Sequence, residues 1–110
     1  MTSPELFDVV ELLVDLPEDN LSAGVRGAIA LRARYANVEC YDDDNYEVEF
    51  TNSEGETLAL CALSLSQFIV VWKAKTKRWL PVSEQLAAVI SYLSEERKQK
   101  VLDFARSLYQ

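Results

Sequence analysis

The densest group of chemically capable side chains is a run of three aspartates, Asp42, Asp43 and Asp44. Adjacent carboxylates could hold a hard divalent cation, which takes several oxygen ligands. The run lacks the alternating ligands and the fixed glycine of a calcium-binding loop. We therefore interpret it as a solvated turn between strands, and we predict no metal site.

A second group of carboxylates comprises Glu47 and Glu49, and Glu56 is expected to lie across from them. Paired carboxylates can perform acid–base catalysis when burial separates their pKa values. Here the glutamates alternate with apolar residues, which predicts an exposed acidic face that could steer a basic partner. A carboxylate-based enzyme is kept as a third functional alternative.

The 110 residues include no histidine, which removes the commonest general base and the commonest metal ligand. Ser64 and Ser66 therefore have no triad partner, and no GxSxG context surrounds them. Cys40 and Cys61 lack the CxxC spacing of a redox pair, and two cysteines without histidine cannot complete a zinc site. We predict reduced thiols, no catalytic residue, no cofactor and no enzymatic activity.

The basic run at residues 73–78 (KAKTKR), flanked by Trp72 and Trp79, is the feature most typical of nucleic-acid binding, because aromatic rings can stack on bases. The charge around it argues against that function. Residues 1–70 carry 14 acidic and 3 basic side chains, a net charge of −11, whereas residues 71–110 carry 4 acidic and 8 basic ones, a net charge of +4. A nucleic-acid binder needs a basic footprint. We interpret the run as a solvated connector with two docked tryptophans, and we predict no nucleic-acid partner.

The first two thirds of the chain have the pattern of strands separated by turns. Strands are predicted over residues 8–16, 28–31, 46–50, 56–63 and 68–72. The clearest is 46–50 (YEVEF), because Tyr46, Val48 and Phe50 share one face. A tight turn is predicted between Gly24 and Gly27, and a hairpin turn over residues 52–55.

The last predicted strand, residues 68–72 (FIVVW), is apolar on both faces. A sheet with one solvent-exposed face does not explain this pattern, so a second layer must cover the other face of the strand. The C-terminal helices of this chain and a partner chain are both candidates, and we favour the helices.

Two amphipathic helices are predicted after Pro81, over about residues 82–93 and 95–109, with Ser94 as the cap of the second. Their apolar stripes contain Val82, Leu86, Val89, Ile90 and Leu93 in the first helix and Val101, Phe104, Ala105 and Leu108 in the second. Isolated helices of about 12–15 residues are marginal in water. We therefore expect the pair to dock on the sheet or on a partner.

A set of short motifs in the first segment resembles one small bacterial family. The motifs are residues 6–10 (LFDVV) with 16–17 (LP), 21–27 (LSAGVRG), 46–50 (YEVEF), and Gly55 with 57–60 (TLAL). Together they resemble DUF4926, an uncharacterised SH3-like barrel family, over about residues 6–70. The resemblance implies a five-stranded, partly open barrel without known enzymatic activity. The chain departs from the family between Arg32 and Asn45, where it carries a longer insert with Cys40 and Tyr41.

The tail, residues 93–108, resembles short helical segments of small bacterial antitoxin-like proteins. That resemblance implies a partner-binding helix.

These observations predict an α+β chain: a small five-stranded SH3-like, partly open antiparallel barrel over residues 5–72, a basic connector over 73–81, and a helical pair over 82–110. No apolar run reaches the ~18 residues of a membrane span, and the N-terminus has no secretory pattern, so a cytoplasmic protein without membrane contact is expected. The predicted function is a non-catalytic protein–protein interaction module that forms homodimers. Its predicted interaction residues are Trp72, Trp79, Leu86, Ile90, Val101, Phe104 and Leu108. The alternative is an antitoxin-like regulator that binds a basic partner protein.

Overall fold

The computed structural model describes residues 3–32 and 45–110, which form an antiparallel sheet followed by two helices. The six strands are β1 (Val9–Leu12), β2 (Arg26–Arg32), β3 (Asn45–Thr51), β4 (Thr57–Ser64), β5 (Phe68–Lys73) and β6 (Arg78–Trp79). The helices are α1 (Val82–Ser91) and α2 (Glu95–Ser107). This architecture confirms the α+β class.

The strand order across the sheet is β4-β3-β2-β1-β5-β6, with every neighbouring pair antiparallel. The first four strands form a meander, and β5 returns to pair with β1. The described sheet has six strands where five were expected, because Arg78 and Trp79 of the predicted connector pair with Lys73 and Trp72 of β5.

Strand β3 shows the period of two that its sequence predicted. Tyr46, Val48 and Phe50 are buried, while Glu47 and Glu49 are half-buried on the other face. The buried side belongs to a core to which each of the five long strands contributes. Its members are Val10, Leu12, Leu21, Ile29, Tyr46, Val48, Phe50, Cys61, Leu63, Phe68 and Val70.

Side-chain hydrogen bonds and glycine conformation explain the β3–β4 turn, and glycine conformation also marks the turn before β2. In the β3–β4 hairpin the Asn52 carboxamide oxygen accepts hydrogen bonds from the Glu54 and Glu56 amides, and Gly55 takes a positive φ of 84°. This confirms the predicted hairpin turn. Gly24 also has a positive φ, whereas Gly27 lies inside β2, where a Cβ would approach the Phe50 ring to 2.8 Å.

Strand β5 is buried on both faces, as its sequence predicted. Phe68 and Val70 belong to the core cluster, so Ile69 and Val71 lie on the opposite face of the sheet. Helix α1 packs against β5. Ile69 of the strand and Ala88 of the helix line the same cleft.

The two helices are shorter than their sequence patterns predicted. Helix α1 ends at Ser91, and the Ser94 hydroxyl accepts a hydrogen bond from the Arg97 amide at 3.2 Å as the cap of α2. Neither helix contains a fully buried residue. No helix in the described ranges combines the length and the apolar character needed to cross a bilayer.

Candidate interaction surface

The seven predicted interaction residues lie on four elements: β5, β6, α1, and α2 with its C-cap Leu108. Trp72, Ile90 and Val101 are half-buried, whereas Trp79, Leu86, Phe104 and Leu108 are 57%, 53%, 67% and 70% exposed. Strand pairing brings the two tryptophans together, and helical spacing of three or four residues groups Leu86 with Ile90 on α1 and Val101, Phe104 and Leu108 on α2 and its C-cap.

Helix α2 and its C-cap Leu108 present large apolar side chains to solvent. Its 13 residues include no buried side chain, although Phe104 and Leu108 lie one helical turn apart on one stripe. Val101 and Ala105 on the same stripe are half-buried. The stripe is therefore largely uncovered.

The tryptophans lie where β5 pairs with the edge strand β6. Trp72 and Trp79 are directly opposite each other in the register. The Arg26 guanidinium lies over the Trp79 ring, 5.0 Å from its centroid, and its Nε donates to the Glu11 carboxylate at 3.3 Å. A cation on an indole face contributes about 0.5–1 kcal/mol at an exposed site. The Arg26 guanidinium thus packs on one face of Trp79, while more than half of the tryptophan surface stays exposed.

A cleft of about 480 Å³ lies beside α1 and is mainly apolar. Its walls include Leu65, Ile69, Leu80, Ala88 and Tyr92. None of the seven predicted interaction residues lines it. The cleft and the predicted surface are therefore different features of the molecule.

The sequence analysis missed a buried ion pair. Asp8 is completely buried, and its carboxylate accepts hydrogen bonds from the Lys73 ammonium at 2.5 Å and from the Glu5 and Ala74 amides at 2.9 Å each. The same ammonium donates to the Ser3 carbonyl at 3.0 Å. These bonds tie the N-terminal segment to the end of β5.

The prediction that Lys73 belongs to a solvated connector is therefore wrong. The sequence assigned it to a solvated basic run, but it is buried at the end of β5. Burial alone would lower the pKa of this ammonium; the bonds to Asp8 and Glu5 outweigh that effect and raise the pKa above its ordinary value. Lys75, Lys77 and Arg78 are exposed, as a solvated connector requires.

The glutamates considered for catalysis are not gathered in a cavity. Glu49 accepts a hydrogen bond from the Thr57 hydroxyl, and Glu56 accepts one from the Asn52 carboxamide at 3.2 Å. Both lie on the outward side of the β3–β4 hairpin.

Asp42, Asp43 and Asp44 fall outside the described residues, as do Cys40 and the insert between Arg32 and Asn45. Within residues 3–32 and 45–110, no three His, Cys, Asp or Glu side chains are placed to hold a metal ion.

Cys61 is a free, buried thiol on β4. Its Sγ donates a hydrogen bond to the Asp19 carboxylate at 3.5 Å. Burial, this hydrogen bond and the charge of Asp19 raise the pKa of the thiol to about 11, from 9.0. At neutral pH the thiol is therefore protonated and a poor nucleophile.

Because the pKa of Cys61 is raised in the folded chain, we expect the free energy of unfolding to fall in alkaline solution. The folded pKa of Cys61 exceeds the unfolded value, so its contribution is fully present below pH 9.0 and is lost as the pH rises toward 11. We expect the free energy of unfolding to fall by about 2–3 kcal/mol over this window from this group. Urea denaturation near pH 8 and near pH 11 measures the loss, and C61V should lack this part of it. Equal pH dependence of both chains would contradict the assignment.

The first segment of the chain matches a known family. Residues 6–70 match DUF4926, a domain of unknown function. Comparisons with curated proteins and with solved structures give no match. The match covers more than half of the chain and the same segment that carries the LFDVV, LSAGVRG and YEVEF motifs. The chain therefore belongs to the DUF4926 family.

Proposed function

We propose that this protein is a non-catalytic interaction module that forms homodimers through its C-terminal helices. The observation that carries the proposal is helix α2, which buries no side chain while Phe104 and Leu108 are 67% and 70% exposed. An isolated helix of this length is marginal in water, and contiguous exposed apolar side chains are typical of interfaces. A second apolar surface would stabilise both the helix and its stripe.

The charges of α2 favour a second copy as that partner. Glu95 and Glu96 lie in the first turn, and Arg106 lies in the last turn. When two copies of α2 pack antiparallel, the first-turn residues Glu95 and Glu96 of each lie beside Arg106 of the other, and the stripes face each other. This arrangement is two-fold symmetric, which is the commonest symmetry of protein dimers.

The substitution F104K tests this dimer. A central aromatic anchor contributes about 2 kcal/mol or more to an interface, so the dissociation constant of the dimer should rise by at least about 30-fold. Sedimentation equilibrium of the full chain measures it. The matched control is Q99K, which adds the same charge on the polar side of the same helix and should leave the dissociation constant unchanged. A wild-type chain that is monomeric at high micromolar concentration would contradict the proposal.

The antitoxin-like alternative is a regulator that binds a basic protein through the acidic sheet. Its support is the outward position of Glu49 and Glu56 on the β3–β4 hairpin. Binding of this kind weakens as salt screens the charges. A single stoichiometric basic partner, captured from the native host and released by salt, would favour this alternative.

We also infer that β1–β5 form the partly open SH3-like barrel that the family resemblance implies. The support is the four-strand meander with β5 returned to β1, and one core cluster to which all five strands contribute. The free thiol of Cys61 is consistent with a reducing cytoplasm. An experimental structure in which β4 and β5 enclose opposite sides of this core would test the barrel.

A further inference from the structure

The cleft beside α1 is assembled from several separate parts of the chain. Its lining comes from the N-terminal segment at Ser3 and Pro4, from the residues that begin β5, from Leu80 and from helix α1. Its volume of about 480 Å³ falls within the range of about 300–1,000 Å³ that is typical of small-molecule sites. None of the predicted interaction residues lines it, so the proposed dimer gives this cleft no role.

Hydrogen bonds fix the position of the cleft walls. The Ser3 carbonyl accepts a hydrogen bond from the Lys73 ammonium at 3.0 Å. The Leu80 amide donates to the Val71 carbonyl at 2.9 Å, and the Leu80 carbonyl accepts from the Gln85 carboxamide, also at 2.9 Å. These bonds tie the N-terminal segment and the start of α1 to β5. The cleft is therefore formed before any ligand arrives, as small-molecule sites usually are.

The lining is mainly apolar and includes one charged side chain, Glu84. Leu65, Ile69, Leu80 and Ala88 supply aliphatic surface. Among the residues that the structure describes, no lysine or arginine lines the cleft, and none forms an ion pair with Glu84. The carboxylate of this exposed residue is therefore available to a ligand with the opposite charge.

The surroundings of the cleft add no uncompensated positive charge. Glu84 lies in the first turn of α1 and offsets the positive end of the helix dipole, whereas the last turn has no basic residue to offset the negative end. The Lys73 ammonium, which binds the Ser3 carbonyl, pairs with two carboxylates, those of Asp8 and Glu5. The electrostatics of the cleft therefore favour a cationic ligand over an anionic one.

The length of the helical wall defines the size of the ligand. Glu84 and Tyr92 both line the cleft, and they are eight residues apart, which is about 12 Å at the helical rise of about 1.5 Å per residue. Tyr92 is 51% exposed and offers an aromatic ring, which packs well on the edge or face of another ring. A ligand that reaches both residues needs an aromatic group at one end and a charge at the other.

We propose that this cleft binds a small arylalkyl ammonium ligand. The aryl group packs near Tyr92, the alkyl chain lies against the aliphatic lining, and the ammonium donates hydrogen bonds to the Glu84 carboxylate. Burial of the apolar body supplies most of the affinity, and the exposed ion pair selects the charge. The site shares no residue with the predicted dimer surface and does not rest on the proposed function.

Three matched probes test the selectivity in isothermal titration of the full chain. They are 4-phenylbutylammonium, 4-phenylbutanol and 4-phenylbutyrate, which share one apolar body and differ in charge. The ammonium should bind about two- to fivefold more tightly than the alcohol, as an exposed ion pair allows, and the carboxylate should bind more weakly than the alcohol. Equal affinities, or tighter binding of the carboxylate, would overturn the proposal.

The substitution E84Q tests the residue that selects the charge. It should abolish the preference for the ammonium over the alcohol and leave the dissociation constant of the alcohol unchanged. The matched control is E96Q, which removes an exposed carboxylate of α2 outside the cleft and should keep the preference. A preference that survives E84Q would overturn the assignment, as would amide chemical-shift changes that omit Ile69 and Ala88.

The F104K chain distinguishes a ligand site from a surface that a second copy covers. Phe104 does not line the cleft, so F104K and the wild-type chain should bind the ammonium with the same dissociation constant. If F104K binds the probes and the wild-type chain does not, the second copy occupies the cleft in the dimer and the ligand proposal fails. Absence of binding of all three probes to both chains at millimolar concentration would also overturn it.

Discussion

Replacing Lys73 with methionine is expected to lower the free energy of unfolding by about 3–5 kcal/mol. The substitution removes the ammonium that lies 2.5 Å from the buried Asp8 carboxylate and leaves that carboxylate with only the Glu5 and Ala74 amides. An uncompensated buried charge is far more costly than a broken surface pair. Urea denaturation measures the change. The control K75M alters an exposed lysine two residues away and should change stability by no more than about 0.5 kcal/mol.

The pairing itself can be isolated with a double-mutant cycle. D8A should be about as destabilising as K73M, whereas the chain with both substitutions should lose less than the sum, because neither ion is then left without its partner. Strict additivity, or a loss below about 1 kcal/mol for K73M, would show that the two groups do not act as a buried pair.

The same pair has a defined pH dependence. The pKa of Lys73 is raised in the folded chain, so its contribution is fully present below the unfolded pKa and is lost as the pH rises through the folded value. The K73M chain should therefore lose less stability in strongly alkaline solution than the wild type.

Local sequence patterns predicted much of the sheet, because alternating residues and turn residues determine local backbone structure without contacts from distant parts of the chain. The alternation of Tyr46, Val48 and Phe50 indicates a strand with one buried face, and Asn52 with Gly55 supplies the chemistry of the following turn. The ion pair of Asp8 and Lys73 could not be predicted in this way. Its members are 65 residues apart, and they meet only because β5 returns to pair with β1.

Helix α1 shows the limit of a periodic pattern. Spacing predicted an apolar stripe that includes Val82, Leu86, Val89 and Ile90, and the structure leaves Val82 and Leu86 exposed while Val89 and Ile90 are half-buried. Ala88 lines the cleft beside α1, together with Ile69 of β5. Periodicity indicates that a helix has an apolar stripe, but the shape of the opposing sheet decides which part of it is covered.

Helix α2 differs because nothing in the described chain covers its largest apolar side chains. The sequence correctly singled out Phe104 and Leu108 as apolar positions on one stripe, and the structure leaves both exposed. Whether they serve an interface stays a prediction, which the F104K measurement addresses.

Deleting residues 80–110 is expected to make the remaining chain unfold or aggregate. This deletion removes α1, which packs against β5, and it removes Leu80, whose amide donates to the Val71 carbonyl at 2.9 Å. Ile69 and Val71 are 6% and 0% exposed in the full chain. Burial of such a side chain contributes about 1.5–3 kcal/mol, so uncovering both would cost about 3–6 kcal/mol in a domain whose total stability is of the order of 5–15 kcal/mol.

The shorter deletion of residues 94–110 provides the matched control. It removes α2 and the proposed dimer surface but no fully buried side chain, and it leaves α1 on β5. We expect this chain to stay soluble, to unfold cooperatively, and to keep a free energy of unfolding within about 1 kcal/mol of the wild-type monomer. Sedimentation and urea denaturation of both truncated chains distinguish the role of α1 in monomer stability from the role of α2 in dimer formation. If residues 1–79 alone remain soluble and well folded, α1 is not the cover that β5 requires; if the chain lacking 94–110 also collapses, α2 stabilises the monomer instead of a dimer.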